Sequence, residues 1–257
     1  MTSVHVPATF LGQAGVRLQF PACVVYIDPY LSDSVARTGG GALARLVPSP
    51  MSADSVRDAD WVLITHDHLD HCDPDTIIPI AANAPSCRFM GPEPVRALLL
   101  EWGIDPSRIH APSGQWADLA PQLRVHAVPA AHPRLERDRQ GDSLCVGYVL
   151  EYAGRRIYHS GDTSPAPELE KALATMRPIH TALLPVNERN YYRERADIIG
   201  NMSLREAFQF ATDLGVAVLV PIHWDLFAPN AVYREEIELL YALTRPPFRL
   251  SLMPTQL

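Results

Sequence analysis

The sequence predicts an α/β protein. Three observations point there. Runs of strand-like and helical periodicity alternate along the 257 residues without a break in composition. Candidate ligand residues occur in four places, each directly after a strand-like run. Hydrophobic residues make up 47% of the chain and charged residues 20%, a balance suited to one large buried core.

The elements follow in order. Residues 8–11, 16–20 and 23–27 are short β-type runs, punctuated by Gly12 and Gly15 and ended by Asp28-Pro29-Tyr30. Residues 31–50 contain Gly39-Gly40-Gly41 and little apolar periodicity. They read as a loop, either a mobile lid or an ordinary surface connection. Trp61-Val62-Leu63-Ile64 reads as a buried strand. Residues 74–82 and 93–102 read as helices, the second opened by Pro92 and Pro94 and closed by Gly103. Residues 123–128 alternate as a strand that ends near His132. Residues 145–152 and 155–159 flank Ala153-Gly154 as a hairpin running into Ser160-Gly161-Asp162. Residues 181–186 form another strand. Ser203 and Glu206 make a capping box, behind which Leu204, Ala207, Phe208, Ala211 and Leu214 keep helical spacing. Residues 216–222 are a buried strand ending at His223, and residues 232–243 a last helix. Nothing divides this series, so residues 1–257 are expected to form a single domain.

Composition excludes several classes. The net charge is −7, from 22 basic and 29 acidic residues, which argues against a nucleic-acid partner. No apolar run is long enough to span a bilayer. The start, Met1-Thr2-Ser3-Val4-His5-Val6-Pro7, lacks a basic segment followed by an apolar one, so no secretory leader is expected. Cys23, Cys72, Cys87 and Cys145 show no paired spacing and read as reduced thiols of a cytoplasmic protein. The 24 prolines fall mostly between elements and suggest tight connections.

The stretch Thr65-His66-Asp67-His68-Leu69-Asp70-His71 carries the chemistry. It packs three imidazoles and two carboxylates, of which Asp70 is the candidate ligand, into six residues beyond a rigid strand. These ligands suit zinc, manganese or iron. Three further candidates sit at strand ends: His132, Asp162 and His223. Two cations about 3.5–4 Å apart can share a hydroxide, polarise a scissile bond and stabilise a leaving oxygen. Beside the motif each of the three reads as a ligand; the alternatives are a loop histidine for His132, a turn cap for Asp162 and a satisfied core residue for His223. His159 reads as a supporting or core residue.

A strand followed by His-x-His-x-Asp-His, then His, Asp and His in that order, resembles the metallo-β-lactamase superfamily. The resemblance implies a four-layer αββα sandwich. It also implies that His66, His68 and His132 hold one divalent metal, that Asp70, His71 and His223 hold a second, and that Asp162 bridges them. Asp70 would in addition be catalytic, orienting the hydroxide. The flanking residues of the first motif, Met90-Gly91-Pro92, Tyr158-His159-Ser160-Gly161-Asp162 and Val220-Pro221-Ile222-His223-Trp224-Asp225 resemble the ascorbate-6-phosphate lactonase-like branch.

The implied activity is hydrolysis of a small lactone or ester, including a phosphorylated sugar lactone, by a hydroxide activated between two zinc or manganese ions. The alternatives are a metal-dependent phosphodiesterase and a redox or non-catalytic metal-binding protein. The acidic charge counts against RNA, and a flavin domain has no room here. Residues 187–202 are read as one pocket wall: Asn187, Arg189, Tyr191 and Asn201 are candidate substrate contacts, with Arg189 or Arg193 meeting an anion. Trp224 is a further candidate. A solvated loop is the alternative for this stretch, a cap on the Ser203 helix for Asn201, and packing beneath the pocket for Trp224. The expected partner is a small molecule, with neither nucleic acid nor membrane. Exposed loop aromatics would permit a homo-oligomer.

Overall fold

The structure, a computed structural model, describes residues 5–257. The expectation about a leader falls largely on residues 1–4, outside that range. Two mixed sheets stack face to face. The first has six strands in chain order: β1 Ala8–Gly12, β2 Gly15–Phe20, β3 Cys23–Ile27, β4 Trp61–Leu63, β5 Arg88–Met90 and β6 Ile109–His110. The second has seven: β7 Ala117–Ala120, β8 Leu123–Pro129, β9 Val146–Tyr152, β10 Arg155–His159, β11 Thr181–Pro185, β12 Val218–Ile222 and β13 Arg249–Leu250. Each sheet starts as an antiparallel meander and continues with parallel strands, from β3 in the first and β10 in the second. The two halves therefore repeat one plan that the sequence does not display.

Period-two alternation assigns the faces. In β11, Leu183 points into the inter-sheet core, where it joins Val16, Leu18, Ile27, Leu63, Tyr148 and Val220. Its neighbours Ala182 and Leu184 face outward under helices. Helices α2 Pro74–Asn83 and α3 Glu93–Glu101 cover the first sheet through Ile77, Ile80, Val95 and Leu99. Helices α4 Pro167–Ala174, α6 Leu204–Leu214 and α7 Arg234–Thr244 cover the second, and α5 Tyr191–Glu194 is a single turn after β11. This is the expected αββα sandwich. At ~1.5–3 kcal/mol per fully buried large apolar side chain, its three main apolar layers hold the strand ends rigidly.

Local signals explain the boundaries. Ser203 Oγ accepts from the Glu206 N–H, and Glu206 returns a carboxylate oxygen to the Ser203 N–H at 2.7 Å. Gly215 ends α6 in the left-handed region. Asp73 caps α2, and Pro74 takes its first turn. The expected loop at residues 31–50 contains a short helix, α1 Ser34–Gly39, and a 3₁₀ turn at Gly41–Leu43. The strand expected from residue 216 starts at Val218, because Val216 closes the turn after α6.

Register brings one set of strand ends together. β3 and β4 are parallel, pairing Ile27 with Leu63. β10, β11 and β12 are parallel, pairing His159 with Leu183 and Leu183 with Val220. β8 lies antiparallel to β9, which lies antiparallel to β10, so β8 runs the same way as β10. Residues just beyond β3, β4, β8, β10 and β12 therefore share one rim.

Candidate metal centre

That rim gathers all seven predicted ligand residues. His66, His68, Asp70 and His71 follow β4, His132 follows β8, Asp162 follows β10 and His223 follows β12. Their ligand-type atoms form three overlapping groups, with all atoms of a group within 4.8 Å: His66, His68 and His132; His66, His71 and Asp162; Asp70, His71 and His223. Asp162 sits between the outer two. Its Oδ1 is 3.4 Å from His71 Nε2, and its Oδ2 is 3.2 Å from His223 Nε2 and 3.7 Å from His132 Nε2.

The nitrogens that face inward are set by bonds on the far side of each ring. His71 Nδ1 donates to Asp28 Oδ2 at 2.8 Å, leaving Nε2 for the centre. His132 Nδ1 donates to Asn201 Oδ1 at 2.9 Å. His66 Nδ1 lies 3.0 Å from Thr65 Oγ1. His68 presents Nδ1, 3.2 Å from His132 Nε2. Asp28 is fully buried and also accepts from the Thr65 N–H and hydroxyl at 2.8 and 2.7 Å. It thereby ties the end of β3 to the first ligand loop.

The donor set fits a divalent cation. His66 Nε2, His71 Nε2 and Asp162 Oδ1 are buried and make no hydrogen bond among the described residues. Leaving such atoms bare costs about 1–3 kcal/mol each, so a shared cation between them removes a real penalty. Charge divides the cluster in the same way. Burial pulls His132 down to about 4, Asp162 only partly opposing it, and burial also pulls His66 well down. Burial pulls on His71 and His223 too, but Asp162 and the neighbouring carboxylates outweigh it and lift them to about 9 and about 10. Asp70 and Asp162 are held well below the carboxylate range by His71 and His223, against the opposing effect of burial. Two imidazolium protons thus occupy the neighbourhood that cations would take.

Gln13 was not singled out from the sequence. It lies in the β1–β2 turn at φ 57°, buried, with its Nε2 donating to Asp70 Oδ2 at 2.6 Å and 2.9 Å from His223 Nε2. Its backbone carbonyl accepts from the His223 N–H, a residue itself at φ 60°. Asp28 was read only as the end of a sheet segment. Its place directly after an apolar strand was the available signal, the same one that marks the ligands.

A cavity of about 210 Å³ opens onto the cluster. His68, Asp70, His132, Asp162 and His223 form its floor, and Val35, Leu43, Asp197, Ile198, Ile199, Phe227 and Asn230 its walls. The five expected substrate contacts are not among these residues. Asn201 and Asn187 are fully buried behind His132, with Asn201 Nδ2 donating to Asn187 Oδ1. Arg189 donates to Ser164 Oγ, the Asn201 carbonyl and Glu206. Tyr191 is 63% exposed beneath Arg195, and Trp224 Nε1 donates to the Pro221 carbonyl. Buried polar groups seek partners, and here the polar side chains after β11 bond mainly to one another and to their neighbours while supporting His132. Residues 197–199 of the same 187–202 stretch supply a wall, as expected of the stretch though not of the residues singled out in it.

Comparison with known proteins agrees with this architecture. Residues 24–224 match the family described as Beta-lactamase superfamily domain, and the chain belongs to that family, within the metallo-β-lactamase superfamily. An uncharacterized protein of Mycobacterium tuberculosis (strain ATCC 25618 / H37Rv) is 29% identical over 94% of this chain and 65% of its own length. A protein named "Probable L-ascorbate-6-phosphate lactonase UlaG" from Salmonella heidelberg (strain SL476) is 24% identical over 82% of this chain and 61% of its own. The chain thus spans somewhat under two thirds of the length of these relatives. Among solved structures, an isothiocyanate hydrolase from Delia radicum gut bacteria superposes with a TM-score of 0.76 at 18% identity, over 97% of this chain and 95% of that one. That likeness concerns the fold.

Proposed function

We propose that this protein is a metal-dependent hydrolase acting on a small lactone or related ester. One observation carries the reading: seven ligand-type side chains from four separate segments converge, with bare buried donor atoms, beneath a small cavity whose floor five of them form. His66, His68 and His132 would hold one divalent ion, Asp70, His71 and His223 a second, with Asp162 between them. Zinc and manganese suit this set, and iron also does. When bound, such ions supply Lewis acidity and make water nucleophilic at neutral pH.

The chain's own residues do the rest. Asp28, Thr65 and Asn201 fix ring orientation from outside the cluster. Gln13 holds the Asp70 carboxylate in place. Asp70 is partly exposed to the cavity, placed to orient an attacking water. The relative named as a lactonase supports a carbonyl substrate. The small cavity supports a small molecule rather than a polymer. No helix among the described residues is long and apolar enough to cross a membrane.

The test is proton release at neutral pH from lactones, esters and phosphodiesters, with zinc- or manganese-loaded protein. Turnover of a lactone or ester that vanishes in Asp70→Asn and His66→Ala is expected. Full activity in a folded His66→Ala variant refutes the reading, and turnover of phosphodiesters alone replaces it.

A further inference from the structure

The cavity walls narrow the substrate class. Above the metal-ligand floor the lining is apolar: Val35, Leu43 and Phe227 belong to one packed cluster, and Ile198 and Ile199 come from the turn before Gly200. Only two polar side chains interrupt it, Asp197 and Asn230. Among the described residues no lysine or arginine lines it. The chain's single lysine, Lys171, lies on α4.

The neighbouring arginines are engaged elsewhere. Arg45 donates to the carbonyls of Val47, Tyr30 and Leu11. Arg193 donates to the carbonyls of Pro229, Glu188 and Ala231. Arg189 is held by Ser164, Asn201 and Glu206. Arg134, two residues past His132, is exposed and is not part of the lining. A phosphate carried away from the reacting carbonyl would meet Asp197 and apolar side chains, with no guanidinium in the lining to receive it.

Asn230 is the polar group left over. It is only 9% exposed, and its Oδ1 is buried without a hydrogen-bond partner. Its backbone is set by the turn that donates the Asn230 N–H to the Phe227 carbonyl. Phe227 itself is packed against Tyr30, ring centroids 6.0 Å apart. The amide is therefore held at the wall by its own backbone turn, and its acceptor is unused. Burying a carbonyl-type acceptor without a donor is unfavourable, so the site gains when a ligand brings one.

We infer that the cavity selects an uncharged lactone or ester with a compact apolar body and an N–H or O–H donor directed at Asn230 Oδ1, and rejects phosphorylated analogues. This rests on the hydrolase reading for the carbonyl, but the selection belongs to the walls. The volume, about 210 Å³, is that of about seven waters at ~30 Å³ each, enough for a five- or six-membered ring with a short substituent.

The experiment pairs turnover with binding. Zinc-loaded protein is assayed for kcat/KM on γ-lactones bearing alkyl groups of increasing length, a 2-amido or 2-hydroxyl group, or a terminal phosphate. The matching cyclopentanones, which cannot be hydrolysed, are titrated by ligand-observed NMR. Binding is expected to tighten about fourfold per buried methylene until the cavity is full. The donor-bearing ring is expected to bind about tenfold tighter than its plain counterpart, at ~1.4 kcal/mol per tenfold. Asn230→Ala should erase that preference, and Asn230→Asp, which keeps an acceptor, should restore it. Phosphorylated rings should bind more weakly than uncharged ones. Tighter binding or faster turnover of the phosphorylated ring overturns the inference, as does a donor preference unchanged in Asn230→Ala. Silent lactones beside ketones that bind in this pattern would sink the hydrolase reading and leave the selection standing.

Discussion

Asp28 offers the sharpest test of how the fold holds the centre. It is fully buried and accepts three hydrogen bonds, from the Thr65 N–H, the Thr65 hydroxyl and His71 Nδ1. Asp28→Ala strands all three donors. At about 1–3 kcal/mol each, the cost is roughly 3–9 kcal/mol. That approaches the whole stability of a typical domain, ~5–15 kcal/mol, so this variant reports mainly on folding.

Asp28→Asn is the informative change. It preserves shape and can still accept from the Thr65 N–H. It replaces the oxygen facing His71 with an amide donor. His71 must then move its proton to Nε2, the atom aimed at Asp70 and Asp162. Loss of such an orienting partner lowers metal affinity about 10–100-fold, or ~1.4–2.7 kcal/mol. Calorimetric titration of zinc into metal-free wild type and variant measures this, with urea unfolding as the control for folding. A folded Asp28→Asn protein that binds zinc as tightly as wild type refutes the reasoning.

Three further outcomes are expected. In metal-free protein His71 and His223 titrate near 9 and 10, above the ~6.5 of an unfolded histidine. Their contribution to stability is therefore complete below ~6.5 and fades as pH rises through 9 to 10. The melting temperature of metal-free protein should fall across that upper window. Zinc binding at pH 7 should release protons, seen as a buffer-dependent heat, and zinc affinity constant from pH 6 to 9 would contradict the assignment. Gly161→Ala should destabilise by more than the ~1–2 kcal/mol of a left-handed backbone, since φ is 58° and a Cβ would lie 2.7 Å from the Thr65 side chain. Thr65 supports both His66 and Asp28, so zinc affinity should fall with stability. Wild-type urea midpoints and affinity in Gly161→Ala would show that the contact is inconsequential.

The longer elements were legible because their signals are local. The capping box at Ser203 and Glu206, the apolar spacing behind it and the alternation in β8 appear as expected. The missed elements are short or carry weak local signals. β5, β6 and β13 have only two or three residues, too few for a period to show. β7, with four residues, and α4, which opens at Pro167, were also passed over. α1 lies in a glycine-rich stretch and buries only Ser34.

At the site, chemistry and position separate. Residue type and spacing identified four of the ligand-type side chains within the six residues His66–His71, and His132, Asp162 and His223 followed from their places at strand ends and from the order the family resemblance implies. The pairing of His132 with Asn201, of His71 with Asp28 and of Asp70 with Gln13 spans 69, 43 and 57 residues. No local pattern encodes such distances. The stretch 187–202 looked like a pocket wall, and it is one through residues 197–199, whereas Asn187, Arg189 and Asn201 are held by one another and by their neighbours behind His132. Sequence alone determined the class of fold and the side chains available for metal chemistry. The tertiary structure decided which rings are oriented by which partners and which walls face the cavity, because both depend on the register that brings distant strand ends to one rim.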